Sequence, residues 1–253
     1  MEQITSRTNP LIVRFRKLAN DRRLRRAEGV LVCEGPKMLR EALRWGFVPQ
    51  AALVTEDFSF PFPEETRVVR VPADLLRSAA PTQTPQKVLF LAPLPVSALP
   101  DTLPGRRYLV LDGVQDPGNV GTLWRTADAF GADGLLLLPG CADPWSPKTV
   151  RATMGACFRL PVWEAGLDQA VSVLDRSGLP LYAAALRDDA LDLRDLNTDR
   201  AAMAIGSEGR GVSAGVLNAC AAAVRIPMTD RCESLNAAAA GAVVLWELAR
   251  NSL

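Results

Sequence analysis

The chain has 253 residues, 48% hydrophobic and 23% charged, with 29 Lys and Arg against 28 Asp and Glu for a net charge of +1. That composition belongs to a folded globular protein of one large or two smaller domains and excludes disordered and fibrous classes. Histidine is absent, which removes Ser-His-Asp triads, Cys-His dyads and His-based metal sites, so any proton transfer falls to other groups.

In chain order, residues 10–27 read as a basic helix with Leu11, Phe15 and Leu18 on one stripe. Around it, residues 7–26 hold eight Lys or Arg against Asp21 alone, a local density that suits a polyanion and equally a solvated helix face. "GVLVCEG" is a short buried strand, and Pro36 opens a helix reaching about Trp45. "QAALVT", "TRVVRV" and "KVLFLA" are further strands, with "ADLLRSAA" a helix between the last two. The expectation is an α/β domain over residues 1–92.

"PLPVSALPDTLPGRR" then carries four prolines and a glycine and predicts a linker over 93–106. A second domain, 107–253, restarts with "YLVLDGV", an apolar run of the kind buried on both faces of a parallel sheet. Helix "TLWRTADAFG", strand "GLLLLPG", helix "KTVRATMGACF", strand "LPVW", helix "LDQAVSVLDRSG" and strand "LPLYAAAL" follow. "AAMAIG", helix "AGVLNACA" and strand "AVRIPM" lead into a last helix made largely of alanine, glycine and valine. This alternation predicts a doubly wound α/β domain.

No apolar run approaches the roughly 18 residues that span a bilayer, and the N-terminus lacks the apolar core of a secretory signal, so a cytoplasmic protein without a membrane partner is expected. Five scattered cysteines without a C-x-x-C pair suit reduced thiols and predict no metal site. Cys232 lacks a histidine or an immediately following helix start to lower its pKa, which argues against a nucleophile.

Three loops at the carboxyl ends of predicted strands carry the candidate chemistry. In "DGVQDPGNVGTLWRTA", Gly118 and Gly121 bracket Asn119, and Arg125 follows on the next helix. A tight glycine turn at a helix N-terminus with a nearby arginine favours an anion, though a nucleotide loop and a plain strand-to-helix turn share that pattern. Neither G-x-G-x-x-G nor a Walker A loop is present, which counts against dinucleotide and nucleoside triphosphate enzymes. "GSEGRG" sets Glu208 among three glycines, as a backbone making close approaches requires. "PMTDRCESLN" places Ser234 and Asn236 at the mouth of the alanine-rich helix.

In succession these segments, "DPGNVGTLWRTADAFG", "AIGSEGRGVS" and "IPMTDRCESLNAAAAGAVVLWEL", resemble the three motifs of the SpoU or TrmH-like family of RNA ribose 2′-O-methyltransferases, over residues 107–250. "TSRTNPLIVRFRKLANDRRLRRAEGVLVCEGPKMLREAL" is similar to the substrate-recognition module that many members carry. The resemblance implies a SPOUT-type α/β domain with a deep trefoil knot, a smaller N-terminal α/β recognition domain, S-adenosylmethionine as methyl donor and a homodimer. By the same resemblance, Gly206, Ile226 and Leu235 hold the donor through their backbones and Met228 flanks it. Asn119, Arg125, Glu208, Ser234 and Asn236 take the polar positions linked to catalysis or ribose placement. Ser207, where asparagine is common, and the alanines after Asn236 depart from the pattern. The expected substrate is RNA, 23S ribosomal RNA before transfer RNA, with a non-catalytic RNA-binding assembly factor as the alternative.

Overall fold

The computed structural model describes residues 2–95 and 98–251. Met1, Ser252 and Leu253, at the ends of the predicted domains, and Val96 and Ser97 of the predicted linker lie outside the described residues. The elements run β1 (Glu2–Gln3), α1 (Pro10–Asn20), α2 (Arg22–Glu28), β2 (Val30–Glu34), α3 (Pro36–Arg44), β3 (Ala51–Val54), β4 (Arg67–Arg70), α4 (Ala73–Ala79) and β5 (Val88–Pro93). Then come β6 (Arg107–Asp112), α5 (Pro117–Ala129), β7 (Gly134–Leu137), α6 (Pro147–Thr153), β8 (Val162–Glu164), α7 (Leu167–Arg176), β9 (Leu181–Ala184) and β10 (Leu191–Asp192). The chain closes with β11 (Ala201–Gly206), α8 (Ala214–Ala219), β12 (Ala222–Arg225) and α9 (Ala237–Ala249).

These elements form two compact units. The first takes the described chain up to Pro95 together with Asp143–Arg159; the second takes residues 98–142 and everything described from Leu160 onward. The segment holding α6, which the sequence places within the second domain, therefore packs in the first.

The first unit is built on a mixed sheet ordered β1-β4-β3-β5-β2, in which β1, β4 and β3 run parallel and β5 is antiparallel to both neighbours. The helix predicted over 10–27 is two helices. Asp21 stands in extended conformation between them, and its carboxylate accepts from Leu24 N at 3.0 Å, capping the second helix as aspartate does best. Leu11, Ile12, Phe15 and Leu18 of α1 are buried against the sheet's apolar strands. Arg25, from the middle of the basic run, is only 3% exposed and donates to the Leu18 carbonyl at 2.7 Å and to Asp143 at 2.6 Å. That arginine is a structural cross-link, not part of a solvated face. The helix predicted over 148–158 stops at Thr153, because Met154 (φ 52°) and Gly155 (φ 100°) turn left-handed before a short 3-10 turn at Ala156–Phe158.

The second unit carries a seven-stranded, wholly parallel sheet ordered β10-β12-β9-β11-β6-β7-β8. Its central strands β6, β7 and β11 are buried almost end to end, as their uninterrupted apolar runs require. Strand β12 is shorter than "AVRIPM" suggests: pairing stops at Arg225, and Pro227, with no N–H to give, leaves 226–236 as a loop. The two-residue strands β1 and β10 are too short to leave a periodic signal. No described helix is long and apolar enough to cross a membrane.

Candidate active site

Because the strands of the second unit are parallel, the loops following β6, β9, β11 and β12 leave from one edge of the sheet. This is the edge where open α/β sheets bind ligands. A cavity of about 440 Å³ opens there, within the range of roughly 300–1,000 Å³ usual for small-molecule sites. Gly206, Ile226, Met228 and Leu235, the four positions expected to hold a donor, all line it, with Glu208 and Ser234.

The loop after β11 is closed on itself. Ser207 N donates to the Gly211 carbonyl at 3.0 Å and Gly211 N to the Ser207 carbonyl at 2.9 Å, while Gly211 takes φ 66°. Gly206 has no alternative: a Cβ there would lie 2.0 Å from the backbone carbon of Gly211. The Ser207 hydroxyl accepts from Arg210 N at 3.3 Å, so the serine at this unusual position serves the turn. On the far side, Asp112 at the end of β6 accepts from Ser213 N at 2.6 Å and pins the loop's exit.

Glu208 is thereby held out toward α5. That helix begins at Pro117, capped by Asp116, whose carboxylate accepts from Asn119 N at 3.0 Å. Gly118 and Gly121 accordingly lie inside the first turns of α5; the glycine turn expected between strand and helix is not present. Asn119 Nδ2 donates to Glu208 Oε1 at 2.7 Å, and Gln115 N approaches Glu208 Oε2 at 3.4 Å. Asn236 completes the cluster: its Oδ1 caps α9 by accepting from Ala238 N at 2.8 Å and Ala239 N at 3.3 Å, and its Nδ2 donates to Asn119 Oδ1 at 3.3 Å. The helix cap thus dictates which way the Asn236 amide faces, and that amide dictates which way Asn119 faces. Partial burial pushes the Glu208 carboxyl up, but hydrogen bonds from Asn119 and from backbone N–H groups outweigh it and leave the pKa below the ordinary glutamate value.

The alanine run has a packing role. Ala237 and Ala238 are buried, Ala240 lines the cavity, and a Cβ on Gly241 would lie 2.1 Å from Leu123 Cδ2 of α5. Small residues let α9 lie directly on α5.

Of the expected site residues, the structure brings Gly206, Glu208, Ile226, Met228, Ser234 and Leu235 to one cavity and Asn119, Glu208 and Asn236 to one hydrogen-bonded cluster. Arg125 joins neither. It lies exposed on α5, with no hydrogen bond or ion pair among the described residues. The sequence reading missed the loop after β9, where Ala185, Leu186 and Arg187 line the same cavity. The end of the parallel strand "LPLYAAAL" was the available signal. No group of three or more His, Cys, Asp or Glu among the described residues is placed to hold a metal.

Residues 106–246 match the SpoU rRNA Methylase family and residues 9–90 match the MRM3-like substrate binding domain. The chain belongs to the SpoU rRNA methylase family. It is 32% identical, over 98% of its length and 99% of the relative's, to the 23S rRNA (guanosine(2553)-2′-O)-methyltransferase RlmP of Bacillus subtilis. An AdoMet-bound rRNA methyltransferase from Sinorhizobium meliloti superposes with a TM-score of 0.88 at 29% identity, covering 100% of this chain and 98% of that one. A putative RNA methyltransferase of the TrmH family from Porphyromonas gingivalis superposes with a TM-score of 0.83 at 33% identity, covering 97% and 99%.

Proposed function

We propose that this protein transfers a methyl group from S-adenosylmethionine to a ribose 2′-hydroxyl of ribosomal RNA, 23S RNA in particular. The observation that carries the reading is the adjacency of a ligand-sized cavity, lined by Gly206, Ile226, Met228 and Leu235, to the oriented cluster Asn119–Glu208–Asn236. The lining fits the donor: it is largely apolar, and its walls include the tight backbone at Gly206, where no side chain fits. Gly206, Ile226 and Leu235 would hold the donor through their backbones, and Met228 and the loop after β9 would flank it. Bound there, S-adenosylmethionine supplies an electrophilic methyl group.

The chain's own residues then have to place the ribose and accommodate the proton its hydroxyl sheds. Glu208, ionised and with its pKa lowered, is a weak base at neutral pH, so its role here is to accept from Asn119 and, with the capped Asn236 on the other side, hold that amide in place. Arg125, without a partner among the described residues, grips the RNA phosphate beside the target and steadies developing negative charge; a guanidinium, which keeps its proton in proteins, does not serve as the base. Ser234, at the cavity wall, is placed to contact the ribose, and a water takes the proton. Positioning of this kind is worth about 7–11 kcal/mol of the barrier for well-oriented reactants.

The reading includes the trefoil knot, supported by the strand order, which seats late β11 between β6 and β9, and by α9 returning against α5. It includes a homodimer, supported by the outward face of α9, where Trp246 is 49% exposed and meets the Phe130 ring edge-on at 5.8 Å. A cytoplasmic location follows from the substrate.

The test is methyl transfer from labelled S-adenosylmethionine to unmodified 23S RNA and to transfer RNA, with nuclease mapping. Label in a 2′-O-methylated nucleoside of 23S RNA is the expected result. Label in transfer RNA alone would move the substrate, and donor binding absent altogether would leave the non-catalytic assembly factor.

A further inference from the structure

The cations of the first unit are mostly committed to internal partners. Arg7 pairs with Asp74 at 3.1 Å, Arg14 with Glu28 at 2.7 Å, Arg25 with Asp143 at 2.6 Å and Arg67 with Glu2 at 2.7 Å. Arg16 donates to the Ser78 carbonyl at 3.1 Å. The basic run at residues 7–26, dense as it is in sequence, is therefore largely used up in holding helices to the sheet.

Helix α3 is different. Lys37, Arg40 and Arg44 follow one another at spacings of three and four, which places them on one stripe, opposite the buried Met38, Leu39 and Ala42. All three are exposed and none has a hydrogen-bond or ion-pair partner among the described residues. The carboxylate on the same helix, Glu41, is taken by Arg159 at 2.7 Å instead. At the C-terminal end of the helix Trp45 forms the cap with 47% of its surface exposed, leaving a large aromatic group partly in water beside the cations.

We propose that this face of α3 docks a single-stranded segment of the RNA substrate, with Lys37, Arg40 and Arg44 on successive phosphates and an unstacked base on Trp45. The proposal rests on the reading of the chain as an RNA methyltransferase. The helical rise separates Lys37 from Arg44 by about 10 Å, enough for a strand to present more than one phosphate. The indole selects against duplex: an A-form helix keeps its bases stacked inside, whereas a single strand offers their faces to an aromatic ring.

The test uses the full chain with a labelled, unstructured oligoribonucleotide and a duplex of the same length, titrated across a salt series. The triple variant Lys37→Ala, Arg40→Ala, Arg44→Ala is compared with a charge-matched control, Lys17→Ala, Arg23→Ala, Arg77→Ala, built from exposed cations elsewhere in the unit. The α3 variant is expected to weaken single-strand binding at least tenfold and to flatten the slope of log affinity against log salt by about 2, at about 0.7 per lost phosphate contact. The control should change affinity less than threefold. Trp45→Ala should weaken the single strand about tenfold and the duplex hardly at all, with Trp45→Phe recovering most of the loss. All variants should keep donor affinity and, at saturating RNA, turnover, so that the effect falls on KM. Equal losses in the two triple variants, or equal effects of Trp45→Ala on both RNAs, would overturn the proposal. Because binding is read directly, an absence of turnover in the unaltered protein counts against the methyl-transfer reading and not against this surface.

Discussion

In the first unit, Arg25 is buried and joins the end of α1 to Asp143, 118 residues later in the chain; in the second, the half-buried Asn119 bonds to Glu208 and Asn236, both exposed at the carboxyl edge of a sheet. Both arrangements are long-range polar contacts. One is enclosed, so breaking it strands a charge away from water; the other is open, so its value lies in the orientation it imposes and not in the energy it contributes. Cohesion and chemistry thus make opposite demands on burial, and the two units meet them separately.

This contrast can be broken most forcefully at Asp143. Asp143→Ala leaves Arg25 buried without its carboxylate and is expected to cost about 3–5 kcal/mol, read as a lowered urea midpoint. Restoration of most of that loss by the added Arg25→Leu would show that the stranded charge is the cause; a midpoint unmoved by Asp143→Ala would mean the pair holds nothing. In the second unit the corresponding steric weak point is Gly206. Gly206→Val drives a side chain into the Gly211 backbone and should cost about 3 kcal/mol and abolish donor binding by calorimetry.

Arg125 sharpens the comparison because it belongs to function alone. Arg125→Lys should leave the thermal midpoint unchanged, since the guanidinium has no partner among the described residues, while turnover falls about 100-fold for want of the planar fork. Wild-type turnover in that variant would remove Arg125 from the mechanism. The smallest effect concerns pH. The Glu208 carboxyl is depressed on folding, so whatever it contributes is fully present above its unfolded value of about 4.3 and is lost only as pH falls through the lower folded value. Between pH 5 and 8, stability and donor binding should therefore match those of Glu208→Gln in their pH dependence, although the two proteins differ in turnover. A difference in slope within that window would show Glu208 titrating there.

Much of the catalytic unit was legible beforehand. Apolar runs such as "YLVLDGV" and "AAMAIG" announce buried parallel strands, and "GSEGRG" announces a backbone too crowded for side chains, because burial on both faces and steric exclusion act on residue type directly. The division of residues 10–27 at Asp21 was less legible, since one capping aspartate competes with an otherwise continuous helical pattern. The loop after β9 is not legible in the sequence, because alanine, leucine and a lone arginine carry no distinctive signal until the strand order places them beside β11.

Local pattern and side-chain size alone announced two α/β units and the glycines and polar residues at the strand ends, and the resemblance of three motifs announced the family. It took the folded chain to show that Asp143–Arg159 packs with the first unit, that the basic N-terminal run is mostly internal bonding while Lys37, Arg40 and Arg44 of α3 have no partner among the described residues, and that the capped Asn236 turns Asn119 toward Glu208. An arginine's partner, or an amide's orientation, depends on groups a hundred residues away, and no periodicity in the chain encodes which of them will arrive.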